Sequence, residues 1–230
     1  MFNKNKKYSS VLFLPDLHMP YHNEDAVEWA ASLQATYETD LVVQLGDISD
    51  QRSWSRFVKD PDFDNPTLEF SKLVKAGKWL EKLFPSMYIL YGNHSIRIIK
   101  KAFEVGLPKE LVKGLSEIFP YKGWEWGIVE KLIINQDVLA IHGDEMAGTA
   151  FQKAKTLGIS LVQGHTHKAS LSYFNAFDKQ IFGAEAGCLV DLTSSAFRYT
   201  AKNPTGCWLG VMLLLDGVPV LLPYPGKGNW

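Results

Sequence analysis

The stretch Leu41-Val42-Val43-Gln44-Leu45-Gly46-Asp47-Ile48-Ser49-Asp50 constrains this chain more than any other. A short apolar run, rich in β-branched residues and closed by Gly-Asp, predicts a buried strand that delivers a carboxylate at its C-terminal end. In open α/β sheets, ligands bind at that end of the strands. A carboxylate has two oxygens and can serve two metal ions at once. Asp47 is therefore the position from which a shared-ligand site would be built.

The rest of the chain supplies the setting. A length of 230 residues suits a single α/β domain covering residues 1–230, and 46% hydrophobic residues is ordinary for a protein with a substantial core. The formal net charge of -1 gives no global basic field, which argues against strong non-specific duplex binding. Cys188 and Cys207 are too few for a disulfide framework and lack metal-site spacing, so buried thiols in a reducing compartment are expected. Lys4, Lys6 and Lys7 precede an apolar run, but Val11 to Leu14 is too short for a signal segment or a membrane span. The expected location is cytoplasmic, with no membrane association.

Read in order, Ser10 to Leu14 predicts a first strand followed by the loop Pro15-Asp16-Leu17-His18. Asn23 is a suitable N-cap for a helix running to about Tyr37, with Glu24 and Asp25 at its positive end. With the strand from Asp40 to Leu45, this forms a parallel βαβ unit. Thr67 can cap a helix to Phe84; Ser86 to Tyr91 predicts a strand, and Lys109 to Phe119 a helix. Val129 to Ile134 and Val138 to Ile141 read as a hairpin around Asn135-Gln136-Asp137. Met146 to Leu157 predicts a helix and Ile159 to Gln163 a strand. Further strands are expected at Leu171 to Phe174, Gln180 to Phe182, Leu209 to Leu215 and Val218 to Leu222.

Five polar clusters each follow an apolar run: Asp16-Leu17-His18, Gly46-Asp47, Gly92-Asn93-His94, His142 and Gly164-His165-Thr166-His167. The histidines are at 18, 22, 94, 142, 165 and 167, so all but His22 fall in these clusters. A lone histidine is easily a satisfied core residue. This concentration at strand ends, with two Asp and an Asn, favours one site. Oxygen and imidazole donors without thiolates suit Mn²⁺, Fe, Zn²⁺ or Ni²⁺ rather than a structural zinc site.

The order Asp-x-His, Gly-Asp-x-x-Asp, Gly-Asn-His, His, Gly-His-x-His over residues 16 to 167 resembles the calcineurin-like metallophosphoesterase superfamily, and most of all its small phage and bacterial members. The resemblance implies an α/β (α+β) four-layer sandwich, two mixed β-sheets flanked by helices, with a dinuclear metal site at the strand C-terminal ends. By the same resemblance Asp16, His18 and His167 would hold one ion and Asn93, His142 and His165 the other, with Asp47 bridging. It implies two divalent ions, Mn²⁺ first, and a metal-bridging hydroxide as nucleophile. It implies that His94 acts on the leaving group as a protonated imidazole.

Two departures bear on this. The family often carries Asp or Glu directly after Gly-Asn-His, where this chain has Ser95, whose hydroxyl supports an imidazole less than a carboxylate does. The protein Ser/Thr phosphatase branch has Arg-Gly after the second Asp of its Gly-Asp motif, whereas Asp50 here is followed by Gln51-Arg52-Ser53. The comparison points to a phosphodiester substrate, a nucleotide or single-stranded nucleic acid, acted on in the cytoplasm (the host's, for a phage protein). A phosphomonoesterase with the same centre and a non-catalytic binding scaffold remain as alternatives.

Around this core stand weaker candidates. Arg97 either reaches a substrate phosphate, together with Asn93, or is structural. Asp50 is expected to brace a loop or a ligand, Asp144 to support His142, and His22 to be a loop residue. Arg52, Trp54, Arg56 and Phe57 either rim the site, stacking a base and holding a phosphate, or pack beneath the loop; packing is favoured for Trp54 and Phe57. Gly123-Trp124-Glu125-Trp126-Gly127 is expected in the core, and the small residues Gly183 to Cys188 to permit close backbone packing.

Overall fold

The structure, a computed structural model, describes residues 2–55, 65–127, 131–194, 196–197 and 206–226. Arg56, Phe57 and the first residues of the strand expected from Val129 lie outside these. Among the described residues the strands are β1 (Ser10–Leu14), β2 (Leu41–Gln44), β3 (Met87–Ile89), β4 (Trp124–Trp126), β5 (Lys131–Ile134), β6 (Val138–Ile141), β7 (Ser160–Gln163), β8 (Ala169–Ala176), β9 (Lys179–Ala186), β10 (Gly210–Leu215) and β11 (Val218–Pro223). The helices are α1 (Glu24–Thr36), α2 (Pro66–Leu83), α3 (Arg97–Glu104), α4 (Leu115–Ile118) and α5 (Ala150–Leu157).

Alternation along the strands decides the layers, because successive side chains leave a strand on opposite faces. In β1, Leu12 and Leu14 enter one core while Val11 and Phe13 enter another. In β2, Val42 joins the first, and Leu41 and Val43 the second. The first core is closed by Ala26, Val27 and Ala30 of α1 and by Leu73, Ala76 and Leu80 of α2. The second lies between the sheets, where Val11, Phe13 and Val43 meet Val138, Ala140, Val162 and Ala184. On the far side Leu139 and Leu161 pack against Ala150 and Ala154 of α5. The order is helix, sheet, sheet, helix, the four-layer sandwich expected.

The first sheet runs β11-β10-β1-β2-β3-β4 and the second β5-β6-β7-β9-β8. β1, β2, β3 and β4 are mutually parallel, with Leu14 opposite Gln44, whereas β10 and β11 pair antiparallel. In the second sheet β6, β7 and β9 are parallel. Parallel pairing gathers the C-terminal ends of β1, β2 and β3 at one edge and those of β6 and β7 at another, and the polar clusters follow those ends.

Several boundaries differ from expectation for local reasons. Asn65, not Thr67, caps α2: its side chain accepts from the Leu68 amide at 2.9 Å and Pro66 opens the helix where no amide is needed. The helix expected over Lys109 to Phe119 is split into a 3-10 turn at Lys109–Leu111 and α4, because Gly114 is extended and its amide donates to Glu117. The helix expected from Met146 begins at Ala150, after Gly148 (φ 102) and a reciprocal cap between Thr149 and Gln152. Trp124 to Trp126 is a strand as well as core. Gly183 to Ala186 lie in β9, which is longer than expected, and a methyl group on Gly183 would collide with the Phe151 backbone of α5. None of the described helices is long and apolar enough to cross a membrane.

The Gly183 contact is testable. Gly183→Ala is expected to cost about 1–3 kcal/mol of stability, the range for overpacking against unyielding neighbours. Urea unfolding measures it, and an unchanged midpoint would mean that α5 shifts freely.

Candidate metal centre

The loops after β1 and β2 run side by side. His18 donates its amide to the Asp47 carbonyl at 2.8 Å, Met19 to Ile48 at 3.0 Å, and Asp50 to Met19 at 3.0 Å. His18, Asp47, His165 and His167 all have left-handed backbones, with φ of 50, 49, 66 and 57°. For residues with a Cβ this costs about 1–3 kcal/mol each and is typically held at functional sites by the surrounding structure.

Here the holding groups are visible. Asp47 Oδ1 accepts from the amides of His94 (2.8 Å) and Ser95 (3.3 Å), and Asp16 Oδ2 accepts from the amide of His165 (2.8 Å). Each carboxylate is therefore pinned through one oxygen by a loop of another strand. The close approach also fixes the motif glycines: a Cβ on Gly92 would meet the Asp47 carboxylate, and one on Gly164 that of Asp16.

The other oxygens face imidazoles. Asp47 Oδ2 lies 3.1 Å from His142 Nε2 and 3.8 Å from His18 Nε2. Asp16 Oδ1, buried without a hydrogen-bond partner, lies 3.7 Å from His18 Nε2 and 3.5 Å from His167 Nε2. The two latter nitrogens are 3.1 Å apart. His142 Nε2 is also 3.1 Å from Asn93 Oδ1 and 3.3 Å from His165 Nδ1. Thus Asp16, His18 and His167 form one trio of donor atoms within 4.8 Å of one another, and Asp47, His142 and His165 another.

Ring orientation is set from behind. His142 Nδ1 faces the Leu45 carbonyl at 3.0 Å, His18 Nδ1 faces Asp50 Oδ1 at 2.8 Å, and His167 Nδ1 faces Cys207 Sγ at 3.8 Å. A proton on each Nδ1 leaves Nε2 free toward the cluster. An orphaned buried carboxylate oxygen among converging ring nitrogens is an environment that a divalent cation satisfies, so the donors fit the metal that the motifs imply.

The charges are strongly coupled. Burial would lower the pKa of His18, but its hydrogen bonds to Asp16 and Asp50 and the charges of Asp50 and Asp47 raise it to about 10. Burial likewise opposes His142 and His167, which carboxylates, chiefly Asp47 for His142 and Asp16 for His167, raise to about 9. Burial would raise Asp16, Asp47 and Asp50, yet the facing imidazoles hold all three below the usual carboxylate range. Burial pushes His94 and His165 down.

His94 is supported differently from expectation. Ser95 Oγ is buried without a partner, and it is Asp50 Oδ1 that meets His94 Nδ1, at 2.5 Å. The same oxygen holds His18, so the Gly-Asp-x-x-Asp spacing supplies the carboxylate missing after Gly-Asn-His. Arg97 opens α3, donating through Nη1 to the Asp50 carbonyl (3.0 Å) and contacting His94 Nε2 through Nη2 (2.8 Å).

The remaining candidates separate. Arg52 Nη1 donates to the Ala196 carbonyl at 2.8 Å. Trp54 is 39% exposed rather than packed beneath the loop, on a 3-10 turn whose first amides are bound by the buried Glu69 carboxylate. Asp144 is exposed, and its charge adds to the raising of His142. His22 lies in the loop between β1 and α1, as expected, buried against Trp79, and burial lowers its pKa to about 4. Sequence spacing missed the cysteines: Cys188 Sγ and Cys207 Sγ lie within 4.8 Å of each other and of a His167 ring nitrogen, and Cys207 is only partly buried.

Among curated proteins no sequence matches this chain significantly. Solved structures similar to it include YfcE, a phosphoesterase from E. coli (14% identity, TM-score 0.45, covering 93% of this chain and 92% of that one). Vacuolar Protein Sorting 29 from Cryptosporidium parvum is also similar (17%, 0.46, 95% and 98%), as is a metallophosphoesterase from Sphaerobacter thermophilus (13%, 0.47, 95% and 90%). The family assignment rests on the sequence profile described as calcineurin-like phosphoesterase, which matches residues 9–165 and so takes in every ligand cluster up to His165. With the sandwich and the Asp and His cluster at its strand ends, that match places the chain in the calcineurin-like phosphoesterase family.

Proposed function

We propose that the chain hydrolyses a phosphodiester of the nucleotide or nucleic-acid class with a dinuclear divalent-metal centre. The observation that carries the dinuclear reading is the place of Asp47 Oδ2, between His142 Nε2 at 3.1 Å and His18 Nε2 at 3.8 Å, one from each trio; the diester and nucleotide class follow from the resemblance of the motifs. Asp16, His18 and His167 would hold one ion, and Asn93, His142 and His165 the other. Asp47 would serve both, with Oδ2 facing the imidazoles and Oδ1 accepting from backbone amides. The donor set admits Mn²⁺, which we take as the working metal, and also Fe, Zn²⁺ or Ni²⁺. Bound divalent ions supply Lewis acidity, neutralising phosphate charge and lowering the pKa of a water.

The chain's own residues supply the rest. Arginine offers only donors, so the Arg97 contact makes His94 Nε2 an acceptor and leaves its proton on Nδ1, toward Asp50. A phosphate oxygen that draws Arg97 away would free Nε2 to face the leaving group. The positive charge of His18 is what opposes a proton on His94 besides burial, while Asp50 and Asp47 favour it. The Asp50 carboxylate on Nδ1 thus favours the protonated ring that a general acid needs. The exposed Trp54, directly after the Asp50 loop, offers a face on which a base can stack, with Arg52 beside it.

Asp47→Asn is expected to lower turnover of bis-p-nitrophenyl phosphate about 10²–10³-fold, the scale of a lost group in transition-state charge stabilisation, with circular dichroism unchanged. An unaltered rate would refute the shared role. With Mn²⁺ present, bis-p-nitrophenyl phosphate should be turned over faster than the monoester, and single-stranded DNA, cyclic and linear dinucleotides then rank the natural class. Activity on the monoester alone would replace the diesterase reading by a phosphomonoesterase.

Metal binding should depend on pH with a definite sign. The raised imidazole pKa values, about 10 for His18 and about 9 for His142 and His167 against an ordinary 6.5, stabilise the metal-free protein fully below about pH 6.5. That contribution is lost as pH rises through about 9–10. The depressed carboxylates contribute above their ordinary 3.8 and lose their contribution on acidification below it. Because the imidazoles must shed protons to ligate, apparent Mn²⁺ affinity should rise from about pH 6 to about pH 9 with proton release. Calorimetry in buffers of different ionisation enthalpy reads both, and a pH-independent affinity would contradict the ligand assignment.

A further inference from the structure

Lys153 is a buried charge that the chemistry above leaves unused. It projects from α5 and is 1% exposed, the only lysine buried among the described residues. Its Nζ donates to the Gly143 carbonyl at 2.7 Å and to Gln163 Oε1 at 2.8 Å. Gln163 Nε2 passes the link to Glu185 Oε1 at 3.2 Å, and Glu185 Oε2 accepts from Ser170 Oγ at 3.2 Å. The chain of contacts joins α5, β7, β9 and β8 to the turn after β6.

Burying an ammonium group is costly unless it is paired and hydrogen-bonded, and an apolar side chain of similar length would fill this space without that cost. Its partners give the reason for its presence. Gly143 directly follows His142, and its φ of 117° is a backbone state that glycine alone adopts readily. Gln163 ends β7 immediately before Gly164-His165. Lys153 thus spans the two loops that carry His142 and His165, whose facing nitrogens are 3.3 Å apart. It touches neither imidazole.

We propose that Lys153 is a positioning residue that cross-links these two loops, setting the Asp47, His142 and His165 trio to receive a divalent ion. The proposal rests on reading the cluster as a metal centre and adds what organises one half of it. Groups behind a ligand commonly set metal affinity by fixing where the ligand atoms point. A flexible pair of loops would have to be ordered at the moment of binding, and the affinity would carry that ordering as a loss.

The test is a calorimetric titration of Mn²⁺ into the chelator-stripped full chain. Wild type is expected to take up two ions. Lys153→Met should weaken one site by about 10–100-fold, the usual effect of removing such a supporting group, and leave the other unchanged. Half-maximal Mn²⁺ for turnover should rise by the same factor, with kcat recovered at saturating metal, a rescue that a loss of fold would not show. Lys153→Arg, which keeps donors at this position, should lie nearer wild type. Should Lys153→Met not fold, Gln163→Leu breaks the same link and should give the same one-site loss. Variants that match wild type at both sites, or that weaken both equally with a lower folded fraction, overturn the role of Lys153 alone. A wild-type chain that binds no Mn²⁺ overturns the metal centre and this role together.

Discussion

Everything in this site depends on the way two buried carboxylates are each held by one oxygen. The His94 and Ser95 amides fasten Asp47 Oδ1, and the His165 amide fastens Asp16 Oδ2. A carboxylate pinned by amide donors cannot rotate, so its second oxygen has one direction in which to point. Both second oxygens point at ring nitrogens. The pins come from loops on other strands: Asp47 is held within the first sheet by the loop after β3, whereas Asp16 is held by the loop after β7 and so is oriented only once the sheets have stacked. The packing of Val11, Phe13 and Val43 against Val138, Ala140 and Val162 thereby becomes a condition for the chemistry, because it fixes the separation of the two groups of strand ends.

Electrostatics then binds the cluster into one unit. The carboxylates of Asp16, Asp47 and Asp50 and the imidazoles of His18, His142 and His167 are buried together, each shifting the other toward its charged form. Such a group is a poor apolar core, and a protein selected only for stability would dispense with it. Asp50 adds a second coupling, since one oxygen contacts both His18, a ring at the cluster, and His94, the ring beside it. The charge state of His18 is thus felt at His94 through a shared partner as well as through space.

The left-handed backbones at His18, Asp47, His165 and His167 belong to the same picture. Strained turns at the ends of parallel strands let residues two apart, such as His165 and His167, face different trios. The strain is sustained by amide bonds between neighbouring loops and by tight packing on Gly92 and Gly164. Where the sequence pattern misjudged local structure, short-range hydrogen bonds were the reason. Asn65 outcompeted Thr67 as a cap, Glu117 restarted a helix at Gly114, and Thr149 with Gln152 delayed α5. None of these shifts moved a strand end, so none displaced the site.

The sequence by itself determined the layers and the donor types. Continuous apolar runs in β1 and β2 specify strands buried on both faces, and polar clusters placed after apolar runs specify which side chains meet at the strand ends. Those are properties of period and order, which a linear chain displays. Only the tertiary structure decided which oxygen of Asp47 is free, that Asp50 rather than Ser95 supports His94, that Cys207 lies behind His167, and that Lys153 braces the His142 and His165 loops. These pairings join residues tens of positions apart or more, or, for Lys153, lie on the buried face of a helix. Distance along the chain says nothing about them until both sheets are stacked and the loops are brought into contact.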